Sequence, residues 1–215
     1  MIAFAALTLS MAYTAKGDLV RAVEYGELAV QKARTPANKA WAQGPLAWAW
    51  CRAGEPRRGV ELLAQVVSIQ RAARYIWGEV FALFLGEGYW LAGEYDQATR
   101  TFEELLEIAG RCGMQFLLGS AHRFLGEIAL TTNPAQVEEP LATPHFEQSI
   151  AILQQIHAEN ELALAYAGYG RLHQRQGNMS QAREYLTRAL EIFERLGTLG
   201  EPDKVRQTLA ELPRW

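Results

Sequence analysis

A pair of helices recurs along this chain about every forty residues, and its clearest copy runs from Tyr166 to Arg195. In that copy the first helix carries Tyr166, Tyr169, Gly170 and His173 at helical spacing. It stops at Gly177, a residue that enters the left-handed conformation at little steric cost. The second helix starts near Ser180 and lines up Ala182, Leu186, Ala189, Leu190 and Phe193 on one face. Small Gly170 and Ala182 let the two helices approach closely. Sliding this template along the chain finds five copies, with stopping residues Gly17, Gly54, Gly93, Asn133 and Gly177. The small residue of each second helix is Ala22, Gly59, Ala98, Ala142 and Ala182, at spacings of 37, 39, 44 and 40 residues. Helical hairpins at such a period cannot each bury an apolar face alone, so they must stack.

These positions predict an all-α, right-handed superhelical solenoid forming a single domain over residues 1–215, with repeats at about 2–34, 37–74, 75–111, 113–157 and 158–197. In the first copy Leu9, Tyr13, Ala22 and Ala29 are expected to form the stripe. In the second, Pro45 removes a backbone donor, which predicts a kink or a helix that restarts with Pro45 in its first turn. In the fourth, Pro134, Pro140 and Pro144 predict an ordered surface loop. After Gly197, residues 202–212 read as a capping helix with Val205, Leu209 and Leu212 on one face. The N-terminal repeat has no equivalent cap, which points to a fragment of a longer protein and to self-association, a homodimer through residues 2–34.

The overall charge narrows the partners. A formal net charge of −3 makes nucleic acid and acidic membrane surfaces unexpected ligands. The opening stretch, MIAFAALTLSMA, lacks a positive n-region and reads as a first packed helix rather than a signal peptide. No apolar run reaches the ~20 residues needed to span a bilayer. Two isolated cysteines, Cys51 and Cys112, form no disulfide framework and suit reduced structural thiols in a cytoplasm.

The motif Leu85-Gly86, Tyr89, Gly93, Ala98 resembles the tetratricopeptide repeat, and Tyr169-Gly170, His173, Gly177, Ala182 is a degraded version of it. The period is longer than the usual 34 residues, and the closing proline of each repeat is missing. Longer repeats of this kind resemble the C-terminal helical regions of bacterial regulators that join them to an ATPase module, such as nucleotide cyclases, kinases and MalT-like transcription activators. The stretch from Asn133 to Leu212 is most similar to the cyclase-type tails. The resemblance implies an interaction module without catalytic residues of its own.

Chemical motifs are sparse. The histidines, His122, His145, His157 and His173, have no zinc-ligand spacing, and His122 and His173 fall at packing positions. Gly86-Glu87-Gly88 and Gly119-Ser120 lie within helical patterns, so they are not phosphate loops. Glu103-Glu104 and Glu138-Glu139 read as solvated faces. No constellation for acid–base catalysis is present, so no enzyme activity and no cofactor or metal is expected.

The resemblance directs attention to the inner face lined by the first helices. It is composed of Phe4, Leu7, Met11, Trp41, Trp48, Cys51, Leu83, Glu87, Trp90, Arg123, Glu127, Leu130, Arg171 and Gln174. The binding candidates are Trp41, Trp48 and Trp90 as apolar anchors, Arg123 and Arg171 for acidic groups, and Glu87, Glu127 and Gln174 beside them. The tryptophans could equally fill space between irregular helices. Two occupants are open: a protein or peptide segment, including a neighbouring domain of the same parent protein, or a small-molecule inducer.

Overall fold

In the computed structural model, which describes residues 2–75, 77–132 and 141–213, the chain is all-α. Among the described residues there are eleven helices and no strand: α1 (Ile2–Lys16), α2 (Leu19–Lys32), α3 (Pro36–Arg52), α4 (Pro56–Ala72), α5 (Trp77–Leu91), α6 (Tyr95–Cys112), α7 (Gln115–Thr132), α8 (Ala142–Gln155), α9 (Glu159–Arg175), α10 (Met179–Leu196) and α11 (Glu201–Glu211). They fall into two compact units, Met1–Leu105 and Leu106–Trp215, with the division inside α6.

The turns follow from one piece of backbone chemistry. Gly177 sits at φ +78°, and the amide of Asn178 reaches back to the carbonyl of His173 at 2.9 Å. That left-handed closure satisfies a carbonyl that the end of α9 would otherwise leave bare. The same closure recurs after α1, α3 and α5 at Gly17, Gly54 and Gly93. Four second helices, α4, α6, α8 and α10, end in the same way, at Arg74, Gly113, His157 and Gly197, each with positive φ, whereas α2 runs out into extended Ala33. Arg74 and His157 hold this conformation without being glycine, so the second-helix ends left little trace in composition.

In the first unit α1 packs on α2, α3 on α4, and the first helices α1, α3 and α5 also touch in succession. Its core joins Ala47, Trp48 and Cys51 of α3 to Leu63, Val66 and Val67 of α4 and Phe81 and Phe84 of α5. In the second unit α7 packs on α8 and α9 on α10, while α7 also meets α9. Leu162 and Tyr166 of α9, Leu186 and Phe193 of α10, and Val205 of α11 share one core. Each such side chain contributes about 1.5–3 kcal/mol on burial. Close approach depends on the small residues: a Cβ at Gly170 would lie 2.7 Å from Leu186 Cγ, and one at Gly86 2.5 Å from Phe102 Cε1. Ser10 occupies the matching place in α1 and donates its hydroxyl to the carbonyl of Ala22 at 2.8 Å.

Three local expectations change. α3 runs unbroken through Pro45, so no helix restarts there; the ring is buried in the core and the missing amide costs one ladder bond. Pro144 lies in the first turn of α8 rather than in a loop, where its absent amide has no intrahelical partner to lose. In α1 the buried face is Ala6, Leu7, Ser10 and Thr14, while Leu9 is exposed and Tyr13 half-buried. The stopping residue Asn133, with Pro134, Glu138, Glu139 and Pro140, lies outside the described residues.

Candidate functional site

The residues six places before the stopping residues meet in pairs within each unit, Trp48 with Glu87 and Glu127 with Arg171, and that register decides what most of the nominated side chains do. In the first unit Trp48 of α3 stacks on Phe84 at 4.1 Å with the rings parallel to within 1°. Its indole N–H donates to Glu87 Oε2 of α5 at 2.6 Å, and Arg52 approaches the other carboxylate oxygen at 3.8 Å. Trp48 and Glu87 are both buried. The charge-assisted bond compensates for taking the carboxylate out of water. Burial, then the Glu87 charge, pushes the Cys51 thiol up to about 12, which makes it an inert packing group.

The second unit repeats this with ions. Arg171 of α9 pairs with Glu127 of α7 at 2.5 Å, and Arg123 of α7 grips Glu161 of α9 through Nε at 3.1 Å and Nη2 at 3.0 Å. Arg123 and Glu127 are buried, and Arg171 is 39% exposed. Gly168 makes room for the Glu127 carboxylate, since a Cβ there would stand 2.6 Å from Oε1. Arg175 also donates to the carbonyl of Leu130. The charges nominated for a partner therefore fasten α7 to α9.

Three candidates, Trp41, Trp90 and Gln174, stand closer to solvent. Trp41 of α3 is half-buried and meets Trp77 of α5 edge to face, with ring centroids 5.2 Å apart at 61°. Trp77 is exposed, and Tyr75 and Ile69 beside it in sequence are exposed as well. Trp90 and Gln174 are half-buried on α5 and α9. Of the other inner-face positions, Phe4 is open to solvent, Met11 is half-buried, and Leu7, Cys51, Leu83 and Leu130 are buried.

A tetratricopeptide-repeat family model matches residues 140–195, and a second matches residues 82–113. Over those two stretches the chain carries tetratricopeptide repeats. Solved structures share the fold across nearly its whole length. A putative kinesin light chain of Podosopora anserina with nearly identical TPR-like repeats aligns at 22% identity and a TM-score of 0.59, over 91% of this chain and 98% of that one. Aspartyl phosphate phosphatase F of Bacillus subtilis aligns at 14% identity and a TM-score of 0.70, over 95% of this chain but 54% of its own. The apo form of RapI aligns at 12% identity and a TM-score of 0.66, over 97% of this chain and 82% of that one. At these identities the likeness shows the fold. No curated protein matches the sequence significantly.

Three features carried no readable signal. Trp77 lies at the very start of α5, outside the inner-face register. Glu161 sits in the first turn of α9 and looks like an ordinary acidic helix start. His122 and His145, separated by 23 residues in sequence, meet with their Nδ1 atoms 2.9 Å apart. Among the described residues no group of three or more His, Cys, Asp or Glu side chains could hold a metal ion, and no helix is long and apolar enough to cross a membrane.

Proposed function

We propose that this chain is a non-catalytic protein-interaction module, a scaffold or sensor segment of a bacterial signalling protein, which docks an apolar or amphipathic peptide segment on the face of α3 and α5. The observation that carries this reading is the Trp41–Trp77 pair, an aromatic step at the surface with Trp77 38% exposed. Aromatic rings supply large contact area at low conformational cost and anchor many interfaces. Trp48, locked by Phe84 and Glu87, is a rigid floor behind that surface rather than an anchor. Trp90 lies on α5 itself and is half-buried there, whereas Arg123, Glu127, Arg171 and Gln174 belong to α7 and α9 of the second unit and take no part in this face. The test is a random-peptide selection on the immobilised chain. Selected peptides are expected to lose at least tenfold in affinity for Trp41→Ala and Trp77→Ala while circular dichroism shows the helices intact. Peptides that bind these variants as well as the wild type would remove the α3–α5 face from consideration.

A second reading, a small-molecule sensor, is favoured by a cavity of about 490 Å³ lined by Tyr13, Arg21, Glu24, Tyr25 and Leu28. Its size lies within the range of small-ligand sites, and paired tyrosines beside a cation and a carboxylate suit a polyhydroxylated molecule. Saturable thermal stabilisation by one sugar class, lost in Tyr25→Ala, would favour this reading over the first.

A further inference from the structure

The His122–His145 contact has no role in the interaction surface, yet its geometry is unusually restrictive. His122 lies on α7 and His145 at the start of α8, and both rings are half-buried. Their centroids are 5.2 Å apart and their Nδ1 atoms 2.9 Å apart. The remaining 2.3 Å is about twice the radius of a five-membered ring, so the two nitrogens point straight at one another. That is a hydrogen bond with room for a single proton, since one Nδ1 must donate and the other must accept. Chelation of a metal by the same two atoms would place the ion off that line, and both rings would have to turn.

We propose that His122 and His145 form a pH-sensitive latch between α7 and α8, closed when one Nδ1 carries a proton and broken when both do. With one imidazole charged, the donor is an imidazolium and the bridge is strengthened. With both charged, two N–H groups and two positive charges face each other at contact distance, and the helices lose this tie. Burial, then the charge of His145, holds His122 down to about 4, in keeping with its role as the neutral acceptor.

Among the described residues, charged side chains on the neighbouring elements have partners of their own. On α7 and α9, Arg123 holds Glu161 and Glu127 holds Arg171; on α8, Glu147 accepts from Tyr169; on the last turns of α6, Glu107 pairs with Arg111. His173 of α9 is also held below its ordinary value, by burial, and titrates in the same direction, so it must be controlled for.

The sign follows from linkage. A histidine whose folded value is depressed binds fewer protons when folded, so its stabilisation is present above the unfolded value of about 6.5 and lost as pH falls towards the folded value. Imidazole nitrogen NMR of the intact chain tests the bridge directly. His122 is expected to stay neutral, protonated at Nε2, at least one pH unit below the ordinary imidazole value of about 6.5. In parallel, urea unfolding is followed from pH 7.5 to 5 in a His173→Phe background, with and without His122→Gln and His145→Gln together. The chain retaining both histidines should lose stability more steeply on acidification, its unfolding constant rising up to about tenfold more per pH unit. Two imidazoles that titrate independently near 6.5, or identical pH slopes with and without the pair, would overturn the latch. The NMR arm needs no variant, so a misfolded substitution does not shield the proposal.

Discussion

Gly59 offers a sharp test of how these hairpins are packed, because two effects of the same substitution oppose each other there. In the other copies the equivalent residue is alanine, at Ala22, Ala98, Ala142 and Ala182. Replacing a helical glycine by alanine ordinarily stabilises by about 1 kcal/mol through backbone entropy. At Gly59, however, a Cβ would lie 2.2 Å from Cys51 Sγ and 2.5 Å from the carbonyl oxygen of Ala47. The thiol can turn aside, but the carbonyl belongs to α3 itself. Relief requires α4 to retreat by about 1 Å, which loosens Leu63, Val66 and Val67 against Phe81. Overpacking of this kind costs about 1–3 kcal/mol and often more where backbone must move. Against the propensity gain, Gly59→Ala is expected to destabilise by about 2 kcal/mol, a fall of roughly 4–8 °C in Tm. Five of the six tryptophans lie in the first unit, so tryptophan fluorescence follows the relevant core. Adding Cys51→Ala should return only part of the loss, since the carbonyl clash remains. Gly110, exposed in α6 with nothing within 4 Å of its Cβ position, is the control, and Gly110→Ala should stabilise by about 0.5–1 kcal/mol. A Gly59→Ala chain as stable as wild type would refute the claim that close approach fixes glycine there.

Two further outcomes follow from the second unit. Arg171→Met strands the buried Glu127 carboxylate and should cost about 2–3 kcal/mol in urea unfolding, less than a fully buried pair because Arg171 is 39% exposed. Adding Glu127→Gln should recover most of that loss, and a double variant as unstable as the single would contradict the stranded-charge account. His173 is 6% exposed and neither ring nitrogen makes a hydrogen bond, with Gln176 offering only a weak polar contact. His173→Phe should therefore stabilise by about 1–2 kcal/mol at neutral pH. Because burial holds His173 below its ordinary value, that gain should grow as pH falls from 7 towards 5; a gain that shrinks on acidification would show that the imidazole is charged in the fold.

Sequence alone exposed the skeleton because its signals are local. A stopping glycine, a small residue five places later, and apolar residues at four, seven and eleven beyond it place Ala182, Leu186, Ala189 and Phe193 inside, and all are buried. The same register buries Ala98, Phe102, Leu105 and Ala109 in α6. The signal failed where conformation is not tied to composition. Nothing about Arg74 or His157 announces a left-handed residue, yet each closes a second helix. Pro45 is compatible with a helix that restarts there, yet α3 runs through it. The candidate site was legible in position and illegible in use: Glu87, Glu127, Arg123 and Arg171 were recognisable as polar residues on first helices, but their partners lie about forty residues away in a neighbouring copy. A register that predicts which face a residue occupies does not predict whether its charge is already spent.

That distinction bears on what a partner can gain. To pair with Arg171 or to accept from Trp48, a ligand must first displace Glu127 or Glu87, each a buried carboxylate that would be left without its main donor. The penalty for stranding such a charge is several kcal/mol, comparable to the whole contribution of a good interfacial ion pair. Covering Trp41 and Trp77 breaks nothing: the rings already touch, their orientation is set by α3 and α5, and the water they shed is released from apolar surface. Preordered aromatic area next to inward-locked charge favours ligands whose anchor is apolar. It also gives the polar locks a second role, because Trp48 held by Glu87 and stacked on Phe84 fixes the spacing of α3 and α5, and with it the spacing of the exposed rings. Trp48→Phe would then weaken docking indirectly, through the geometry of Trp41 and Trp77, with no loss of direct contact to the bound segment.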